Sequence, residues 1–284
     1  MTVWGSIIID AYRDDERREV YDALESLFGP TSGTNWSTAG IYVYWDFTTR
    51  EILYVGLASD LAVRFGQHNR FKGCPDRGCK RVQIDAYFSA GNEFLGFTIL
   101  PLSSLTQPSG ARWNHAIDLK ERELIELQAA FSADALNDIR TLEGGLIAAH
   151  KARTGAIPPW NKDPGRKPSQ EISPTDATSA AVTGRFDCLL QSRRTIRELA
   201  ADGEACIFEE HLHGARLLAV SAAILGEHGF RNDVLRTILA QTFAFFPGDL
   251  LLASDYLDHR NRLTVGPVLD PPSEDPDSHK RPGG

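Results

Sequence analysis

The chain has no long apolar run, few cysteines and no excess of positive charge. No stretch approaches the roughly 18 apolar residues that a membrane span needs. The longest candidate, Leu217–Leu225, is short and amphipathic and ends in Gly-Glu-His-Gly. Near the start, the apolar run Ile7–Ile9 meets Asp10, Asp14, Asp15 and Glu16 rather than a small-residue cleavage site, so no secretory signal is expected. The expectation is a cytoplasmic protein, and four cysteines fit that compartment. Cys188 and Cys206 lie far apart and read as buried thiols. Cys74 and Cys79 form a C-x4-C pair beside His68. A zinc site there needs a fourth ligand that the sequence does not offer, which leaves two free thiols in a loop as the simpler reading.

The formal net charge of −8 argues against a grip on DNA by the whole surface. The distribution is uneven, however. Residues 1–35 carry −4, residues 36–168 carry +2 and residues 169–284 carry −6. Within 61–81, Arg64, Arg70, Lys72, Arg77, Lys80 and Arg81 face Asp76 alone. Phosphate contacts need a local basic surface, which this segment offers. Otherwise the composition, 42% hydrophobic and 24% charged, is that of an ordinary globular protein, and 284 residues suit about two domains.

Residues 10–27 read as an amphipathic helix, with Val20, Leu24 and Leu27 at helical spacing and Gly29-Pro30 as its stop. Two β-rich runs, Ile41–Phe47 and Ile52–Leu57, read as a hairpin. A helix from Asp60 to Arg70, capped by Ser59 or Asp60, follows, and then a loop over 71–81. Strands are expected at Val82–Ser89 and Phe94–Leu102, and helices near 118–131 and 134–153, the last ended by Gly155 and Pro158-Pro159. Residues 164–183 have a linker's composition, 184–265 read as a mostly helical domain, and 266–284 as a disordered tail. Glu209-Glu210-His211-Leu212-His213 reads as a solvated surface, since histidines two apart point to different sides of a helix.

The chemistry concentrates between these segments. Gly40-Ile41-Tyr42 is followed, after residues 43–53, by Tyr54-Val55-Gly56. Arg64 lies ten residues beyond Tyr54, and His68 lies one helical turn further, on the same face. Downstream come Glu143-x-x-Leu146-Ile147 and Pro159-Trp160-Asn161. This ordered set resembles the GIY-YIG nuclease family over about residues 38–163. Singly, each residue has a plain structural explanation: tyrosines favour strands, and charged residues line solvated helix faces. Their joint order and spacing is what carries the resemblance. Leu57-Ala58 replaces the family's small polar residue after the second motif, and an insertion lies within 70–120. A second E-x-x-L-I occurs at Glu121, but only Glu143 is followed by Pro-Trp-Asn.

The resemblance implies an α+β fold, a small antiparallel sheet flanked by helices, over residues 36–163, with 1–35 as a helical N-terminal extension. It implies hydrolysis of DNA phosphodiester bonds with one divalent ion, Mg2+ or Mn2+, held by Glu143. Tyr42 is then the general base or water-orienting group, and Tyr54 sits beside the scissile phosphate. Arg64 stabilises phosphate charge, His68 assists Tyr42 or binds the phosphate, and Asn161 braces the site. Gly56, Arg70 and Lys72 are the expected substrate contacts. Strand pairing makes a further demand. For Tyr42 and Tyr54 to share a face, the sum of opposite residue numbers must be even, which a three-residue loop Thr48-Thr49-Arg50 provides. Tyr44 then opposes Tyr54, and Tyr42 opposes Gly56, where the missing side chain leaves room for a phosphate and a water. Two rival readings remain at this level. One is a non-catalytic nucleic-acid-binding module. The other is an interaction protein whose acidic segment 184–265 meets a protein partner or a second copy.

Overall fold

The structure is a computed structural model that describes residues 5–29, 32–75, 78–102, 140–164, 180–185, 190–224 and 256. It is an α+β protein built on one antiparallel four-stranded sheet. The strands are β1 (Ile8–Tyr12), β2 (Gly40–Asp46), β3 (Ile52–Ala58) and β4 (Leu95–Pro101), in the order β1-β4-β2-β3. The helices are α1 (Arg17–Phe28), α2 (Leu61–His68), α3 (Arg81–Ser89), α4 (residues 140–154), α5 (Ile196–Ala201) and α6 (Gly203–Ile224). No helix among the described residues is long and apolar enough to cross a membrane.

Both faces of the sheet are covered. Tyr12, Tyr42, Tyr44, Tyr54 and Phe97 point to one face, where they meet Leu24 and Phe28 of α1 and Phe65 of α2. Ile9, Ile41, Val43, Trp45 and Val55 point to the other, against Leu142, Leu146 and Ile147 of α4. Because side chains alternate along a strand, the tyrosines of β2 and β3 are gathered on the α1/α2 side. The α2 helix starts where Asp60 caps it, its side chain accepting from the Val63 N–H at 2.8 Å.

The hairpin keeps the tyrosines on one face by a different device from the three-residue loop expected. The Asp46 N–H bonds the Glu51 carbonyl, and the Arg50 N–H returns to the Asp46 carbonyl, both at 2.8 Å. This closes a four-residue loop over Phe47–Arg50, held by Asp46 Oδ1 on Thr49 N and Oγ1. An even loop alone reverses the parity. A bulge restores it: Trp45 opposes Ile52, yet Tyr44 opposes Tyr54 and Tyr42 opposes Gly56.

Several local expectations are corrected. Residues 10–12, read as the opening of a helix, belong to β1, which pairs with β4, so the N-terminal segment completes the sheet. Residues 82–89, read as a strand, lie in α3, with only Ile84 fully buried. Tyr87 and Phe88, whose residue types favour strands, pack onto the first core as helix residues. Residues 180–183, read as the end of a linker, are buried at Ala181, Val182 and Thr183, and the Val182 carbonyl accepts from Thr98. The expected helix at 118–131, Glu121, Cys188 and the tail 266–284 lie outside the described residues.

The segment after residue 190 does not stand apart from the sheet. Ile7 bridges Gln191, and Arg197 donates to both carboxylate oxygens of the fully buried Asp10 in β1. Within α6, Glu209 and Arg216 form a buried ion pair at 2.7 Å, and Arg216 also donates to Ser6 Oγ. His213, expected on a solvated surface, is buried, with Nε2 at 3.0 Å from the Leu102 carbonyl. Burial pushes its pKa down to about 4. Buried apolar residues within and beside Glu209–His213, such as Leu212 and Phe208, turn this stretch inward.

Candidate active site

The site forms where the hairpin meets the polar face of α2. Tyr42 lies 2.8 Å from His68 Nε2 through its hydroxyl, and Arg64 Nε donates to that same hydroxyl at 3.2 Å. The four-residue spacing of Arg64 and His68 puts both on the face of α2 that looks at β2. The Tyr54 ring lies 5.7 Å from the Tyr42 ring and 6.4 Å from the His68 ring, centre to centre.

The hydrogen bonds fix the state of His68. Its Nδ1 receives the backbone N–H of Lys80 at 3.0 Å, so Nδ1 carries no proton. Burial, together with Arg64 and Lys80, lowers the His68 pKa to about 3. The neutral ring therefore holds its proton on Nε2 and donates it to Tyr42. The Tyr42 oxygen thus accepts from both His68 and Arg64, and its own proton is directed elsewhere. Two donors on one phenol oxygen favour the phenolate. Burial and the neighbouring Tyr54 oppose them and keep the Tyr42 pKa well above its usual range.

Lys80 was not singled out in the sequence. Its side chain is buried, its Nζ donates to the Trp160 carbonyl at 2.6 Å, and Nζ lies 4.4 Å from the centre of the Tyr54 ring. Burial, Lys162 and Arg64 lower its pKa. Six basic residues in 61–81 look alike in sequence. Only the turn after residue 78 decides that this one enters the site.

Glu143 on α4 interacts electrostatically with Tyr54. Desolvation raises its pKa to about 7, with Arg140 acting against that. Among the described residues none forms an ion pair or hydrogen bond with its carboxyl. A desolvated carboxylate near a phenol is an all-oxygen donor set, which fits a hard divalent ion. Asn161 sits on the exposed edge of β3. Its Oδ1 accepts from Val55 N at 3.0 Å and its Nδ2 donates to Val55 O at 2.8 Å, as a neighbouring strand would. The Trp160 N–H adds a bond to the Leu53 carbonyl, so the Pro-Trp-Asn segment fixes the strand that carries Tyr54.

Three expected substrate contacts are placed differently. The space over Gly56 is filled, since an added Cβ lies 2.6 Å from Tyr42 Cζ and Oη and from Tyr54 Cε1. Gly56 therefore makes room for the two phenols. Arg70 pairs with Asp85 of α3, and Lys72 lies 3.9 Å from Glu25 of α1. Both reach acids on neighbouring helices. Cys74 and Cys79, read as free thiols, are joined in a disulfide. Their sulfurs and a His68 nitrogen lie within 4.8 Å of one another, but the sulfurs are bonded and both His68 nitrogens are engaged. Cys206 is buried as expected, its pKa pushed up to about 12 by burial.

Comparisons with protein-family models, curated proteins and solved structures found no match to this chain.

Proposed function

We propose that the chain is a metal-dependent endonuclease of the GIY-YIG type that hydrolyses DNA phosphodiester bonds. The observation that carries this reading is the Tyr42 hydroxyl, which accepts from His68 and Arg64 beside Tyr54, whose phenol feels the charge of Glu143. With two donors on its oxygen, Tyr42 turns its own proton towards the Tyr54 hydroxyl, which links the two phenols. As phenolate charge grows on Tyr42, Arg64 and the His68 N–H stabilise it. Arg64 and Lys80 are the cations available to the charge that builds on the phosphoryl oxygens during hydrolysis. Glu143 is the residue that would hold a divalent ion, which when bound supplies Lewis-acid polarisation of the phosphate. The small antiparallel sheet flanked by helices is the fold that the resemblance implies, and it supports the same reading.

The test is incubation of the protein with plasmid DNA, with and without Mg2+ or Mn2+. Wild type is expected to cut only with the ion. Glu143→Ala and Arg64→Ala are each expected to reduce cutting about 100-fold or more, with unchanged circular dichroism. Equal cutting by wild type and both variants removes these residues from the site. Loss in Glu121→Ala alone moves the metal role to that glutamate.

A further inference from the structure

Two of the polar contacts that hold the candidate site come from one short loop, and that loop is closed by Cys74 and Cys79. The Gly78 carbonyl accepts from Arg64 NH2 at 3.0 Å, and the Lys80 N–H donates to His68 Nδ1 at 3.0 Å. Gly78 reaches its position with φ at +81°, a conformation that the chain adopts at little cost only with glycine. Cys79, between these two residues, is therefore a fixed point of the backbone that orients Arg64 and sets the His68 proton. Both cysteines are partly exposed, and the loop beyond them, Gly73 and Pro75, is open to solvent.

We propose that Cys74 and Cys79 form a reversible thiol–disulfide site whose oxidation state sets how firmly residues 78–80 hold Arg64 and His68. The reductant is a low-molecular-weight thiol. Its thiolate attacks one sulfur, the S–S bond breaks and the other cysteine leaves as a thiolate that takes up a proton. A second thiol then displaces the mixed disulfide. In total, two thiols are oxidised to one disulfide, and the protein gains two electrons and two protons as two S–H groups. In the oxidised chain the loop is a small ring with few conformations, which favours the geometry in which Gly78 and Lys80 meet their partners. In the reduced chain that restraint is gone, the Lys80 N–H leaves Nδ1 for part of the time, and the His68 tautomer is no longer imposed.

The coupling rests on the nuclease reading for its consequence in cleavage, but the clasp itself is measurable without it. Hydrogen exchange at the Lys80 amide is read in the full chain, oxidised and after dithiothreitol, together with plasmid cleavage. Reduction is expected to speed exchange about tenfold and to slow cleavage in parallel. Cys74→Ser is expected to match reduced wild type and to ignore the reductant. Unchanged Lys80 exchange on reduction overturns the clasp, even where the enzyme cuts DNA. Faster exchange with no cleavage in either state keeps the clasp and overturns the nuclease reading. A reductant effect that persists in Cys74→Ser assigns it to other cysteines and also overturns the proposal.

Discussion

His68 donates to Tyr42 across 2.8 Å, and it does so because the Lys80 backbone already occupies its other nitrogen. This pair has a pH signature. The His68 pKa falls to about 3 in the folded chain, below the ordinary value near 6.5. The folded state then binds fewer protons than the unfolded state between those values. Stability from this group is complete above about 6.5 and is lost as pH falls towards 3. His213, lowered to about 4, acts in the same direction. Denaturant unfolding of wild type is expected to show this loss, and His68→Phe to show a shallower slope over the same window. Nitrogen NMR of the wild type should report the Nε2-protonated ring at pH 7. An Nδ1-protonated ring contradicts the donor assignment.

Glu143 behaves oppositely. Its pKa is raised to about 7 from about 4.5, so the folded chain holds this proton more tightly than the unfolded chain. The stability associated with the group is full below about 4.5 and declines as pH rises to about 7. Glu143→Gln is therefore expected to stabilise the protein above pH 7, by about 1–2 kcal/mol after allowance for solvent screening. Near pH 5 the variant should match wild type. A divalent ion would compete with that proton for the carboxylate, so under the proposed nuclease reading cleavage at limiting Mg2+ is expected to rise with pH through about 7.

Gly56→Ala is expected to damage both fold and site. Its Cβ falls 2.6 Å from atoms of both phenol rings, and β3 is held at Val55 by Asn161, so the strand cannot retreat. Overpacking of this kind costs about 1–3 kcal/mol. Thermal unfolding measures the stability, and the tyrosine near-ultraviolet dichroism should change with it. A variant as stable as wild type, with the same tyrosine spectrum, contradicts the packing described.

Arg197→Ala leaves the buried Asp10 carboxylate without its cation. Burial already pushes the Asp10 pKa up against the pull of Arg197. Breaking such a pair costs about 3–5 kcal/mol. Arg197→Ala with Asp10→Asn should recover part of that loss, since no charge then remains to be buried. For the same reason, removal of residues 190–284 is expected to yield an unfolded or aggregated fragment, as judged by dichroism and size-exclusion chromatography. A folded fragment from that truncation shows that the Asp10–Arg197 contact is dispensable.

How much of this was legible depended on whether the signal was local. Tyr42, Tyr54, Arg64 and His68 converge as their spacing suggests, because alternation in a strand and the turn of a helix are fixed by backbone geometry. The hairpin faced the right way, but through a four-residue loop and a bulge, two changes that cancel and leave no mark in the apolar pattern. Residues 82–89 misled because Tyr87 and Phe88 have strand preference while their helical burial depends on Tyr12 and Trp160 elsewhere in the chain. Asp10–Tyr12 misled because their partner β4 lies some 85 residues away, and sheet pairing over such a distance writes nothing into the local sequence. Lys80 was hidden for a similar reason, as one of several equivalent cations until the loop placed it.

The bond between Asp10 and Arg197 spans 187 positions of sequence. At a synthesis rate of about 5–20 residues per second, β1 leaves the ribosome well before the arginine that neutralises its buried acid. Until then, docking of β1 on β4 would bury the Asp10 carboxylate without its cation, a cost set against the apolar burial of Ile8, Ile9 and Tyr12. The order of translation thus makes the C-terminal helices the step that commits the sheet to its final form.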